Sequence, residues 1–164
     1  TAAGTGTGRN EYPALKMKSL AVLSLLIALV TAAGSVRALD YLSVVDSSAI
    51  LYDAPSLKAK KLFVVNRYLP LEQVVSLDDW VKVRDSSGSL AWIEKRALSG
   101  KRFVAVMIPL AAVHQAADAG APIAFNTRQQ VALEWLESSG NGWVKVRHSD
   151  GMTGYVRATE VWGD

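Results

Sequence analysis

"DDWVKVRDSSGSLAWIEKRAL" runs from Asp78 to Leu98, and "NGWVKVRHSDGMTGYVRATEV" runs from Asn141 to Val161. Both contain W-V-K-V-R, a polar turn with glycine, then an aromatic followed by a β-branched residue. Trp80 and Trp143 stand 63 positions apart. Gly88 recurs as Gly151, Trp92 as Tyr155, Ile93 as Val156 and Leu98 as Val161. Upstream the offset becomes 62, matching Leu51 to Val113, Phe63 to Phe125 and Leu71-Glu72 to Leu133-Glu134. A period near 60 that occurs twice indicates two copies of a small domain. A solenoid needs at least about three shorter units.

Each copy reads as short strands. Alternation in Trp80–Arg84 puts Val81 and Val83 on one face and Trp80, Lys82 and Arg84 on the other. Asp85-Ser86-Ser87-Gly88 and His148-Ser149-Asp150-Gly151 are turn chemistry, so each W-V-K-V-R strand opens a hairpin. Leu71–Leu77 and Val131–Glu137 supply a preceding strand, and Phe103–Ile108 the first strand of the second copy. Strands of this length within about 60 residues predict a small antiparallel barrel. The fold class is therefore all-β, two tandem small barrels at 39–102 and 103–164.

A targeting segment is expected ahead of them, as a signal-peptide helix over 17–38. Met17-Lys18 is a short positive region, Leu20–Val30 is apolar, and Val36 and Ala38 fit the small-residue pattern of a cleavage site after Ala38. The apolar run is shorter than the roughly 20 residues of a spanning helix. Membrane association is expected only through this segment, if it is left uncleaved. Residues 1–16 read as an upstream, disordered extension. Export to the periplasm or cell envelope follows from the signal.

The formal charge of +3 arises before Leu39, where Arg9, Lys16, Lys18 and Arg37 face Glu11 alone. The remaining 14 basic and 14 acidic residues cancel. A nucleic-acid binder keeps its charge in the folded part, so no nucleic-acid partner is expected. The copies differ slightly: ten basic against eight acidic residues in 39–102, and four against six in 103–164. Lys58, Lys60, Lys61 and Arg67 form a basic run that reads as a solvated loop.

No cysteine is present, which excludes thiol chemistry and disulfides. The only histidines are His114 and His148. His148, Ser149 and Asp150 share one turn, where neighbouring side chains are expected to diverge; catalytic triads come from separated segments. No metal-ligand spacing occurs. Catalytic residues, metal and cofactor are all expected to be none.

With these residues in place, the chain resembles bacterial SH3-like domains. "W-V-K-V-R … G … G-Y-V … V-W-G" in copy two and "ILYDAPS … VVSLDDWVKVRDSSGSLAWIEKRAL" in copy one carry the resemblance, over roughly Val44 to Trp162. It implies two SH3-like barrels in an exported envelope protein that binds peptidoglycan, a peptide or a protein partner, without catalysis. Copy one also resembles eukaryotic Src-homology-3 domains at their peptide groove. Leu51-Tyr52-Asp53 matches part of the tyrosine motif, Trp80 the groove tryptophan and Trp92 the later aromatic. In copy two Trp143 and Tyr155 keep their places, while Val113-His114-Gln115 replaces the tyrosine motif. Glu94 and Arg157 stand where a proline is usual, and Ala97 or Glu160 where a further aromatic is usual. These departures argue against recognition of a proline helix.

The candidate ligand-binding residues are Tyr52, Trp80, Trp92, Trp143 and Tyr155, expected to face outward. Trp80 and Trp143 alternate out of phase with the valines, and aromatics are enriched at binding hot spots. Trp135 has Gln73 as its counterpart and is expected to mark a surface unique to copy two. Trp162 is expected to staple the chain end. Two alternatives stay open: the barrels dock or dimerise through those aromatics, or the chain serves a cell-wall enzyme encoded elsewhere.

Overall fold

The structure is a computed structural model that describes residues 1–6 and 40–164. Residues 1–6 carry no regular secondary structure. The expected signal helix over 17–38 and the cleavage site after Ala38 lie outside the described residues. Among the described residues no helix is long and apolar enough to cross a membrane.

Leu39–Asp164 forms one compact unit, built of two seven-stranded antiparallel sheets. The first sheet comprises β1 (Tyr41–Val44), β2 (Ser48–Tyr52), β3 (Lys61–Asn66), β4 (Pro70–Ser76), β5 (Trp80–Arg84), β6 (Leu90–Glu94) and β7 (Leu98–Ser99). The second comprises β8 (Phe103–Val106), β9 (Leu110–His114), β10 (Ile123–Arg128), β11 (Ala132–Ser138), β12 (Trp143–Arg147), β13 (Thr153–Arg157) and β14 (Val161–Trp162). Their orders are β3-β2-β6-β5-β4-β1-β7 and β10-β9-β13-β12-β11-β8-β14. Strand for strand these are the same topology. The duplicated sequence therefore folds as two copies of one all-β domain.

The alternation in W-V-K-V-R places the cores. Val81, Val83 and Ile93 are fully buried with Val44, Leu51 and Leu71. Val144, Val146 and Val156 are fully buried with Val104, Val113 and Leu133. The hairpin turns also match. Asp85 N–H donates to Ser89 O at 3.1 Å, and His148 N–H to Met152 O at 2.8 Å. Gly88 and Gly151 take φ of +86° and +95° there, a region that favours glycine.

A repeated ion pair accompanies the repeat. Glu72 lies opposite Arg84 in the ladder, and Glu134 opposite Arg147. Arg84 Nη1 donates to both Glu72 carboxylate oxygens, at 2.8 and 2.9 Å. Glu134 is shared more loosely, between Lys101 at 3.2 Å and Arg147 at 3.6 Å. The arginine that ends W-V-K-V-R thus has a repeated partner one strand away.

One position departs from the repeat for a steric reason. Ala91 of β6 corresponds to Gly154 of β13. A Cβ at Gly154 would lie 2.6 Å from His114 O and 2.7 Å from Val113 Cγ1. Strands β9 and β13 approach too closely for any side chain there.

The barrels dock through a seam of aromatics. The Arg102 guanidinium lies 4.1 Å from the Trp135 ring centre and 5.8 Å from that of Tyr41. It also donates to Gly163 O at 2.8 Å. Trp162 meets Tyr41 edge-on at 5.5 Å, and Tyr68 stacks on Phe103 at 4.3 Å. Trp135 Nε1–H donates to Asp164 Oδ1 at 2.9 Å. Trp162 does staple the chain end, but onto the other barrel. Docking therefore uses an aromatic set different from the expected Tyr52, Trp80, Trp92, Trp143 and Tyr155.

Candidate functional site

The five nominated aromatics all lie on the sheet faces away from the two cores, as their phase requires. They are not equally open. Trp80, Trp92 and Tyr155 are half-buried. Tyr52 is only 4% exposed and Trp143 only 5%, which corrects the expectation that these two outward-facing rings are open to a ligand. The reason is the same in each case: a neighbour on the outer face covers the ring.

The neighbours differ in a way that decides the site. Trp143 lies opposite Arg157 in the ladder, and the Arg157 guanidinium sits 4.6 Å from the ring centre. The His114 ring meets it edge-on at 5.3 Å. One flank and one face of Trp143 are thus occupied. Trp80 lies opposite Glu94 instead. A carboxylate is repelled by the negative face of an aromatic ring, and Glu94 turns to Arg96, accepting from Nε at 2.8 Å and Nη2 at 3.1 Å. Tyr52 holds Trp80 from one side, edge-on at 5.4 Å. The other side is open.

That open side is the wall of a cleft of about 430 Å³ lined by Leu57, Asp78, Asp79, Trp80, Glu94, Lys95 and Arg96. Lys95 N–H donates to Asp79 O at 2.8 Å, which fixes the β4–β5 turn against the end of β6. Lys95 Nζ reaches Leu77 O at 3.4 Å. The Glu94–Arg96 pair separates this cleft from a smaller hollow of about 150 Å³ beside Tyr52, which Asp46 and Ser48 also line. Asp78 and Asp79 are exposed and, among the described residues, join no ion pair. The cleft therefore offers the Trp80 indole beside two carboxylates that join no ion pair among the described residues, a combination suited to a cationic group carried on an apolar stem.

Trp92 and Tyr155 occupy matching places. Lys82 lies 5.9 Å from the Trp92 ring centre and Lys145 lies 5.8 Å from that of Tyr155. Each is a cross-strand pair in the ladder. Their equivalence makes them part of the repeated architecture and sets them apart from the Trp80 cleft.

The His148 turn is more organised than expected. His148 Nδ1 lies 3.0 Å from Asp150 Oδ2, and the His148 ring tilts over Phe125 at 5.7 Å. The Met152 N–H, and secondarily His148, hold the Asp150 carboxyl below its usual range. The pair caps the hairpin. Among the described residues no group of three or more His, Asp or Glu could hold a metal.

Comparison with known proteins fits this architecture. The profile of the bacterial SH3 domain matches twice, over residues 45–100 and 109–163. The chain belongs to the bacterial SH3 domain family. No curated protein matches it closely enough to count as a relative. Among solved structures it is similar to NlpC2 and NlpC1 from Trichomonas vaginalis, at 12% identity and a TM-score of 0.37 for each. It covers 79% and 81% of itself and 50% and 49% of those chains. An NlpC/P60 family protein from Bacillus cereus matches at 15% identity and a TM-score of 0.33, over 74% of this chain and 55% of that one. This bacterial SH3 tandem thus spans about half the length of those proteins.

Proposed function

We propose that the chain is a non-catalytic binding module of the cell envelope, and that barrel one does the binding. The observation that carries this reading is the difference between the two repeated tryptophans. Trp143 is capped by Arg157, whereas Trp80 stands open over a cleft with unpaired Asp78 and Asp79. Duplication supplied two equivalent rings and only one was left free. The ligand that suits the cleft is a peptide presenting an amine on an apolar stem, either in peptidoglycan or in a protein partner. Tyr52 supports Trp80 from behind, and Glu94 and Arg96 form the rim. Barrel two then serves as a docked structural half, and no cofactor is required.

Retention on purified peptidoglycan sacculi tests the wall-binding form. The wild-type chain is expected to be retained, and Trp80→Ala or Asp78→Asn with Asp79→Asn to be lost. Arg157→Ala, which uncaps the other ring, is expected to be retained like wild type. Equal retention of the wild type and the cleft variants would sink the reading.

A further inference from the structure

Among the described residues, strand β3 is the outer strand of the first sheet and pairs only with β2. Its sequence is Lys61-Leu62-Phe63-Val64-Val65-Asn66. Edge strands in native proteins are usually polar, short or covered. This one exposes Phe63 at 57% and Val64 at 71%. The second copy gives an internal comparison. Phe125 holds the place of Phe63 but is only 9% exposed, with His148 over it. The residue in the place of His148 is Asp85, which offers no ring. Val64 corresponds to Asn126, and Val65 to Thr127. At these places the second barrel's edge is covered at Phe125 and polar at Asn126, whereas the first is open and apolar at both.

Among the described residues, nothing pairs with the outer backbone of that edge either. Arg67 N–H donates to Ser47 O. Alternate residues exchange bonds along an antiparallel ladder, so Val65 and Phe63 turn their polar groups toward β2. Val64 N–H and C=O and Asn66 N–H then face the open side. Charge flanks the strand: Lys58 and Lys60 precede it, Lys61 opens it and Arg67 follows it. None of these joins an ion pair among the described residues. Asp53 is the nearest acid along the β2–β3 loop, and it is occupied by accepting from Lys60 N–H at 3.0 Å.

We propose that the open edge of β3 is a strand-addition site for an extended peptide segment of a partner protein, apolar at alternate positions and acidic at both ends. Such a segment pairs with the Val64 and Asn66 backbone groups and covers Phe63 or Val64 with its alternate side chains. Its acidic ends meet the lysines and Arg67. A second copy of this chain is the poorer occupant. Antiparallel pairing of two β3 strands brings Lys61 of one against Asn66-Arg67 of the other, setting like charges together. The site is separate from the Trp80 cleft and does not depend on it.

The test uses the full chain and two synthetic nonapeptides, Glu-Asp-Val-Thr-Val-Thr-Val-Asp-Glu and its counterpart with lysine at the four end positions. The acidic peptide is expected to bind, to slow amide exchange at Val64 and Asn66, and to weaken with salt as screening shortens the reach of the flanking charges. Val64→Pro removes the outward N–H at a position where an edge strand tolerates proline and is expected to weaken binding by about tenfold or more. Phe63→Thr, which leaves the backbone untouched, is expected to weaken it several-fold with an unchanged Tm. Reversing Lys58, Lys60 and Lys61 to Glu is expected to transfer preference to the lysine peptide. Trp80→Ala is expected to bind the acidic peptide as wild type does. Equal binding of the two peptides, or wild-type binding by both Val64→Pro and Phe63→Thr, would overturn the proposal. So would loss of binding in Trp80→Ala, or a dimer of the chain alone that Val64→Pro disperses.

Discussion

Replacing each repeated tryptophan by alanine should separate its structural weight from its functional weight. A tryptophan side chain buries up to about 200 Å². At about 25 cal/mol per Å² that is about 5 kcal/mol, reduced to about 3–4 kcal/mol because denatured chains already bury some surface. Trp143 is 95% covered, so it commands nearly all of this, plus about 1 kcal/mol from the Arg157 guanidinium at 4.6 Å. Trp80 is half-buried and, among the described residues, has no guanidinium over it, so about half the area term remains. Both rings have one edge-on aromatic neighbour, Tyr52 or His114, and that contribution cancels. Trp143→Ala should therefore cost about 4 kcal/mol and Trp80→Ala about 2 kcal/mol. Urea unfolding of the full chain, followed by far-UV circular dichroism, gives both values if transitions seen by different probes coincide. Ligand retention should run the other way, with Trp80→Ala the more damaging. A Trp80→Ala cost equal to or above that of Trp143→Ala would refute the argument that the two rings have diverged.

Four further outcomes follow from the packing. Gly154→Ala should destabilise by about 2–3 kcal/mol, because its Cβ would meet backbone at 2.6 Å; Ala91→Gly at the matching place should cost only about 1 kcal/mol, both read by thermal unfolding. Glu72→Gln should cost about 1–2 kcal/mol, since it loosens a short pair between a buried carboxylate and a part-exposed Arg84, while Glu134→Gln should cost less than about 1 kcal/mol because its partners are farther away and more exposed. Arg102→Met should weaken the seam, seen as faster amide exchange at Gly163 and Asp164 and a loss of about 1–3 kcal/mol. Tyr41 has its hydroxyl pushed above the ordinary value of 10.0, by burial first and by the Glu72 charge second. A raised folded value means stability is intact below about pH 10 and falls as pH rises from there toward the folded value; Tyr41→Phe should lose that share of the alkaline slope in urea unfolding.

Much of this protein was legible along the chain because its signals are local and periodic. Val81, Val83, Val144 and Val146 alternate, glycines sit where the turns need them, and the doubled spacing gives two copies. From these the strands, the hairpins, the two cores and the family follow. The repeated Glu72–Arg84 and Glu134–Arg147 pairs were visible as residues, though not as partners, since pairing them needs the register between β4 and β5 and between β11 and β12. The candidate site was half legible. Phase put Trp80 and Trp143 on the outer faces, and that placement holds. Phase carries no information about what covers an outer face.

Cover is supplied by residues distant in sequence, and only the tertiary structure decides it. Arg157 lies 14 positions after Trp143 and Glu94 the same distance after Trp80, yet only the hairpin register sets each against its ring, where opposite charges have opposite effects on an aromatic face. His148 over Phe125, with nothing equivalent over Phe63 among the described residues, is a second instance. The seam is a third: Tyr41, Arg102, Trp135 and Trp162 meet although no repeat or motif links them. Periodicity within a strand fixes which way a side chain points. Whether it ends in solvent, against a neighbour or over a cleft depends on contacts between strands and between barrels, and these arise only once the chain has closed on itself.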